Sequence, residues 1–116
     1  MAVTIFHNPR CSKSRQALAL LEARGIHPTI VDYLKTPPDR DTIAGLLHKL
    51  GITARALLRH QEPEYAALGL RDPALSEDAL LDAMAAHPRL IERPIVVVGR
   101  RARIGRPPEA VLEILP

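Results

Sequence analysis

The chain is 116 residues long, 47% hydrophobic and 25% charged, with a formal net charge of +3 and a single cysteine. That length makes one compact domain, able to bury roughly two-thirds of the surface its unfolded chain exposes. One cysteine closes no internal disulfide, which excludes a stapled secreted scaffold and favours a reducing compartment, the cytoplasm. The opening MAVTIFHNPR lacks a charged start followed by an apolar stretch of signal-peptide length, no segment approaches membrane-spanning length, and an aromatic content of 3% leaves few stacking platforms for nucleic acid. The charge comes from 13 arginines and only three lysines, read mainly as an Arg-, Ala- and Leu-rich composition rather than as the footprint of an anionic partner.

Taken in order, VTIF running into the turn-forming NP predicts a buried strand over residues 2–6. A helix follows from Ser12 to Arg24, with Ala17, Leu18, Leu20 and Leu21 as its apolar positions and Gly25 as its left-handed C-terminal stop. HPTIVDYL supplies a second strand near 28–34. Strand, helix and strand in so short a span imply a parallel pair with a right-handed crossover.

The middle changes character after Pro37 and Pro38. Ile43, Leu46, Leu47 and Leu50 share a helical face before Gly51. TARALLR and EPEYAALG read as short helical pieces, and SEDALLDAMAAH as a longer helix opened by a Ser76 cap and closed by Pro88. Residues 37–88 are thus expected to form an all-helical insertion without strands. Strands return with Ile95 to Val98, a Gly99-Arg100 hairpin turn and a partner at 101–105. A last helix has prolines in its first turn and directs Ala110, Val111, Ile114 and Leu115 at the sheet. The sum is one α/β domain over 1–116, a mixed four-stranded sheet flanked by helices on the thioredoxin-like plan.

Cys11 falls where the first strand hands over to the first helix. Unpaired amide N–H groups and the helix dipole favour an anion there, and Arg10, Lys13 and Arg15 add positive charge nearby. A lone cysteine is most often inert packing, but HNPRCSKSR is polar on both sides and offers no apolar pocket. The reading is therefore a reactive thiolate, with the same N–H groups free to hold an oxyanion beside it. A phosphatase loop would need arginine at position 17, which is alanine; a dithiol centre would need cysteine at 14, which is serine. The resolving thiol must come from outside. Histidines at 7, 27, 48, 60 and 87 form no close ligand pair with Cys11, and no glycine-rich phosphate loop appears.

HNPRCSKSR near the N-terminus, RALLR in the middle, RPIVV late and RP near the end together resemble the glutaredoxin-linked arsenate reductases of the ArsC type, over the whole chain. The resemblance implies that Cys11 attacks arsenate, that glutathione then attacks the arsenic as co-substrate with no bound cofactor, and that glutaredoxin resolves the adduct as arsenite leaves. It also implies that Arg59, Arg93 and Arg106 hold the oxyanion and that His7 lies beside the thiol. Ser14 is expected to hydrogen-bond the sulfur, and Arg93-Pro94 to be the cis-proline that faces the cysteine. Spacing alone does not select these arginines, though a guanidinium suits a tetrahedral oxyanion. Arg100, Arg101 and Arg103 are assigned to the exposed hairpin. A monomer is expected, with no membrane and no specific nucleic acid as partner. Two other readings stay open: an Spx-like redox-responsive protein that contacts RNA polymerase, and a thiol oxidoreductase acting on another oxyanion or a glutathione adduct.

Overall fold

A computed structural model describes residues 2–116. Two compact units divide the chain: residues up to Thr36 together with Arg93–Pro116, and Pro37–Glu92.

In the first unit, β1 (Val3–His7), α1 (Ser12–Ala23), β2 (Thr29–Asp32), β3 (Ile95–Val98) and β4 (Arg101–Ile104) are followed by a 3₁₀ helix, Pro108–Ile114. Among the described residues, four strands form one sheet in the order β2-β1-β3-β4. β1 and β2 run parallel, and the other two pairings are antiparallel. This is the thioredoxin-like architecture. Alternation along β1 puts Val3, Ile5 and His7 on one face. Val3 and Ile5 sit opposite Val98 and Val96, and Ala17, Leu21, Val111 and Ile114 pack onto them to make the core. α1 and the 3₁₀ helix therefore cover the same face.

α1 stops as expected, with Gly25 at φ 74° donating its N–H to Glu22 O. β2 ends sooner than the apolar pattern suggests, because the N–H groups of Lys35 and Thr36 fold back onto Asp32 O. Gly99, at φ 60°, turns the hairpin. The closing segment is a helix, as expected, and a 3₁₀ one. Its buried residues are Pro108, Val111 and Ile114, spaced by three as a 3₁₀ helix requires, while Ala110 and Leu115 are only partly buried.

The second unit holds α2 (Arg40–Leu50), α3 (Ala54–Leu57), α4 (Pro63–Ala67), α5 (Glu77–Ala86) and a 3₁₀ turn, Pro88–Leu90. Asp39, Thr53 and Ser76 cap α2, α3 and α5 through Thr42, Ala56 and Ala79 N–H. The Glu77 carboxylate accepts from Ala54 N–H at 3.0 Å and ties α3 to α5. Ile43, Leu46 and Leu47 are buried as predicted. Their expected companion Leu50 is only partly so. Among the described residues no strand falls within 37–88, as expected, and Leu58 makes only an isolated β-bridge, to Ile91. Among the described residues, no helix is long and apolar enough to cross a membrane.

Candidate active site

The loop between β1 and α1 is knotted by Asn8. Its side-chain oxygen accepts from Arg10 N–H at 3.0 Å, its carbonyl accepts from Cys11 N–H at 3.0 Å, and its own N–H donates to Ser14 Oγ at 3.0 Å. Arg15 braces the same loop, its guanidinium donating to Pro9 O at 2.9 Å. Cys11 is thereby held in extended conformation at the N-cap of α1, partly exposed, with its carbonyl accepting the first helical bond from Arg15 N–H.

The thiol completes no capping hydrogen bond, yet its surroundings favour the anion. Burial pushes the Cys11 thiol up; the backbone N–H of Ser14, the Arg93 guanidinium and the backbone N–H of Lys13 outweigh it, and the pKa is lowered. Arg106 Nη2 lies 3.5 Å from Cys11 Sγ. Its Nε donates to Arg93 O at 2.8 Å, so one arginine's backbone aims the other's side chain. The positive charge on the sulfur is thus not the expected set. Arg93 is the side chain that lowers the thiol pKa and Arg106 lies beside it, whereas residues 13 and 14 act through their backbone N–H groups.

Ser14 departs from its expected role. The hydroxyl is fully buried, accepts from Asn8 N–H and sits 2.6 Å from His7 Nδ1; it does not face the sulfur. His7 ends β1 on the face that α1 covers, so the imidazole meets Ser14 rather than the thiol. Burial pushes the His7 pKa down, Asp32 partly offsets this and Arg15 adds to it. The ring is therefore neutral at neutral pH, with Nδ1 available to accept the Ser14 proton.

Arg93-Pro94 is cis, as expected, and so is Arg106-Pro107. Pro94 is fully buried. Gly105 donates to Pro94 O at 2.9 Å, and a Cβ there would lie 2.7 Å from Pro94 Cγ and 3.3 Å from Ala17 Cβ. Only glycine fits this approach. In the helical unit Arg59 is held by two carboxylates, Glu92 at 2.6 Å and Glu62 at 3.2 Å, with its side chain 14% exposed.

Asn8 and Gly105 escaped the sequence reading. An asparagine two residues before the amide it accepts from is an Asx-turn signal, but nothing local marks the contact of Gly105 with Pro94. Among the described residues, no group of three or more His, Cys, Asp or Glu is placed to hold a metal.

Fold and site together define a thioredoxin-like protein built around one thiol of lowered pKa, flanked by two guanidinium groups. The ArsC family model matches residues 6–114, and the chain belongs to the ArsC family. It is 55% identical to the uncharacterized protein YfgD of Escherichia coli strain K12, over 97% of this chain and 96% of that one. It is 51% identical to the arsenate reductase of Neisseria meningitidis serogroup B strain MC58, over 97% of each. The solved structure of the arsenate reductase from Vibrio cholerae superimposes with a TM-score of 0.97 at 55% identity, covering 99% of this chain and 98% of that one.

Proposed function

We propose that the protein is an arsenate reductase that works through the Cys11 thiolate, with glutathione and glutaredoxin supplying the electrons. The observation that carries this reading is the sulfur of lowered pKa set between Arg93 and Arg106, in a chain that shares about half its residues with proteins named arsenate reductase.

The Cys11 thiolate attacks arsenic(V), an S–As bond forms, and one oxygen leaves as water. Glutathione thiolate then adds to the arsenic and a second oxygen leaves as water. A glutaredoxin thiolate attacks the glutathione sulfur; the As–S bonding pair stays on arsenic, reducing it to arsenic(III), and a mixed disulfide departs. Water cleaves the remaining As–S bond, releasing arsenite and the Cys11 thiol. Two thiols are oxidised for one two-electron reduction.

Arg93 and Arg106 bind the oxyanion and offset its charge as the adduct forms. The resemblance to the arsenate reductases carries Arg59 of the helical unit into the same role, with one guanidinium nitrogen that its two carboxylates leave over. His7 and Ser14 serve as positioning residues: they fix the loop so that the Ser14 and Lys13 amides face the sulfur. The domain is a single thioredoxin-like one carrying an all-helical insertion at about 37–88, acting as a monomer in the cytoplasm.

The test is to mix the purified protein with arsenate, glutathione and glutaredoxin and follow reductant consumption. Turnover that disappears in Cys11→Ser is expected. A flat trace from protein with a verified free thiol overturns the proposal.

A further inference from the structure

The chain has one cysteine, so the second sulfur of any thiol cycle at Cys11 arrives from outside. The fold provides a place beside the loop for the molecule that carries it. β1 and β2 are parallel and end side by side, His7 opposite Asp32. The loop leaving β1 and the turn leaving β2 therefore open side by side at the C-terminal ends of their strands. Between them lies a cavity of about 320 Å³ lined by Asn8, Pro9, Arg10, Asp32, Leu34 and Lys35, at the small end of the roughly 300–1,000 Å³ usual for small-molecule sites.

Its walls are held in place. Asn8 Oδ1 fixes Arg10 N–H on one side, and Asp32 O fixes Lys35 and Thr36 N–H on the other. Its charges are mixed: two cationic side chains, one carboxylate and an apolar floor at Leu34 and Pro9. The charged ends of Arg10 and Lys35 are not committed to ion pairs among the described residues. Arg10 is covalently next to Cys11, so the cavity adjoins the loop that carries the sulfur. An inorganic oxyanion would gain nothing from Asp32. A small zwitterionic thiol, with carboxylates at its ends and an ammonium group, matches all three charges.

We propose that this cavity is the subsite for the peptide part of the incoming thiol, a zwitterionic tripeptide thiol of the glutathione kind, with its carboxylates on Arg10 and Lys35 and its ammonium on Asp32. The choice of ligand rests on the reductase reading, and its test does not need arsenic. The Cys11 thiolate attacks one sulfur of oxidised glutathione, the S–S bond breaks, a Cys11–glutathione disulfide forms and one glutathione thiolate leaves. The same reaction with bis(2-hydroxyethyl) disulfide has no charged groups to read.

The quantity measured is the ratio of the two rate constants, which cancels changes in the Cys11 thiolate itself. The paired Arg10→Glu, Lys35→Glu variant is expected to lower this ratio about tenfold or more. Asp32→Asn discriminates a built site from general attraction of an anion: it makes the cavity more positive, so loss of the ammonium contact lowers the ratio whereas simple charge steering raises it. An unchanged ratio in the paired variant, or a raised ratio in Asp32→Asn, overturns the proposal. A selective ratio in protein that turns over no arsenate leaves the subsite standing and removes the reductase reading.

Discussion

Ser14 and His7 hold each other at 2.6 Å, so the serine hydroxyl is spent on the imidazole and reaches Cys11 only through its backbone N–H. Ser14→Ala is therefore expected to leave the thiol's lowered pKa largely in place. It strands a buried Asn8 N–H and an imidazole nitrogen, costing about 1–3 kcal/mol of stability. Urea unfolding measures the cost, and the pH profile of iodoacetamide alkylation measures the thiol. A profile shifted to that of an ordinary cysteine would show that the hydroxyl had been acting on the sulfur after all.

His7 makes stability depend on pH with a definite sign. Its folded pKa lies below the unfolded value of 6.5, so the unfolded chain takes up protons first. The native state loses ground as pH falls from 6.5 towards the folded pKa, and nothing is lost above 6.5. Replacing His7 with asparagine, whose amide oxygen accepts from Ser14 without titrating, is expected to flatten the dependence. Urea midpoints at a series of pH values check it.

Arg93 and Arg106 should separate in their effects. Arg93 lowers the thiol pKa, so Arg93→Ala is expected to raise it, slow alkylation at neutral pH and move the acid limb of the profile upward. Arg106, contributing a 3.5 Å contact, is expected to show itself in arsenate handling, with kcat/KM down about 100-fold in Arg106→Ala and a smaller change in alkylation. Identical alkylation profiles for wild type and Arg93→Ala would contradict the assignment of the field to Arg93.

Gly105→Ala places a methyl group 2.7 Å from Pro94 Cγ. Both neighbours are packed, so the cost is about 1–3 kcal/mol. The displaced residue adjoins Arg106, so turnover is expected to fall with stability. An alanine variant with native urea midpoint and native turnover would mean the contact relaxes freely.

Arg59→Ala is expected to lower arsenate turnover while leaving Cys11 alkylation as in the wild type. It also removes the partner of Glu62 and Glu92, so Arg59→Lys serves as the control that keeps the charge. Recovery of urea stability without recovery of turnover in the lysine variant supports a bidentate oxyanion role. Full recovery of both leaves Arg59 as a structural ion pair.

The strand-helix-strand opening, the Ile95–Val98 hairpin and the helix capped by Ser76 were legible because each is written in local periodicity and turn chemistry. Cys11 at a helix N-terminus was legible for the same reason. The guanidinium that polarises it was not, since Arg93 lies far along the chain and only sheet topology brings it back. Resemblance supplied that residue where spacing did not. The direction of the Ser14 hydroxyl was hidden too, because it depends on His7 sharing a sheet face with Val3 and Ile5. The last helix was legible as a helix but not as a 3₁₀ one, because its apolar residues fit two periods.

Arg93 and Arg106 stand just outside the two feet of a single hairpin, whose rungs pair Ile95 with Ile104 and whose tip is Gly99-Arg100. The hairpin acts as a ruler. Adding one residue to a single strand would turn every side chain beyond it to the opposite side of the sheet, parting the two arginines, whereas matched additions near the tip would leave them together. The far loop is thus free of the constraint that keeps the two cationic groups on one side.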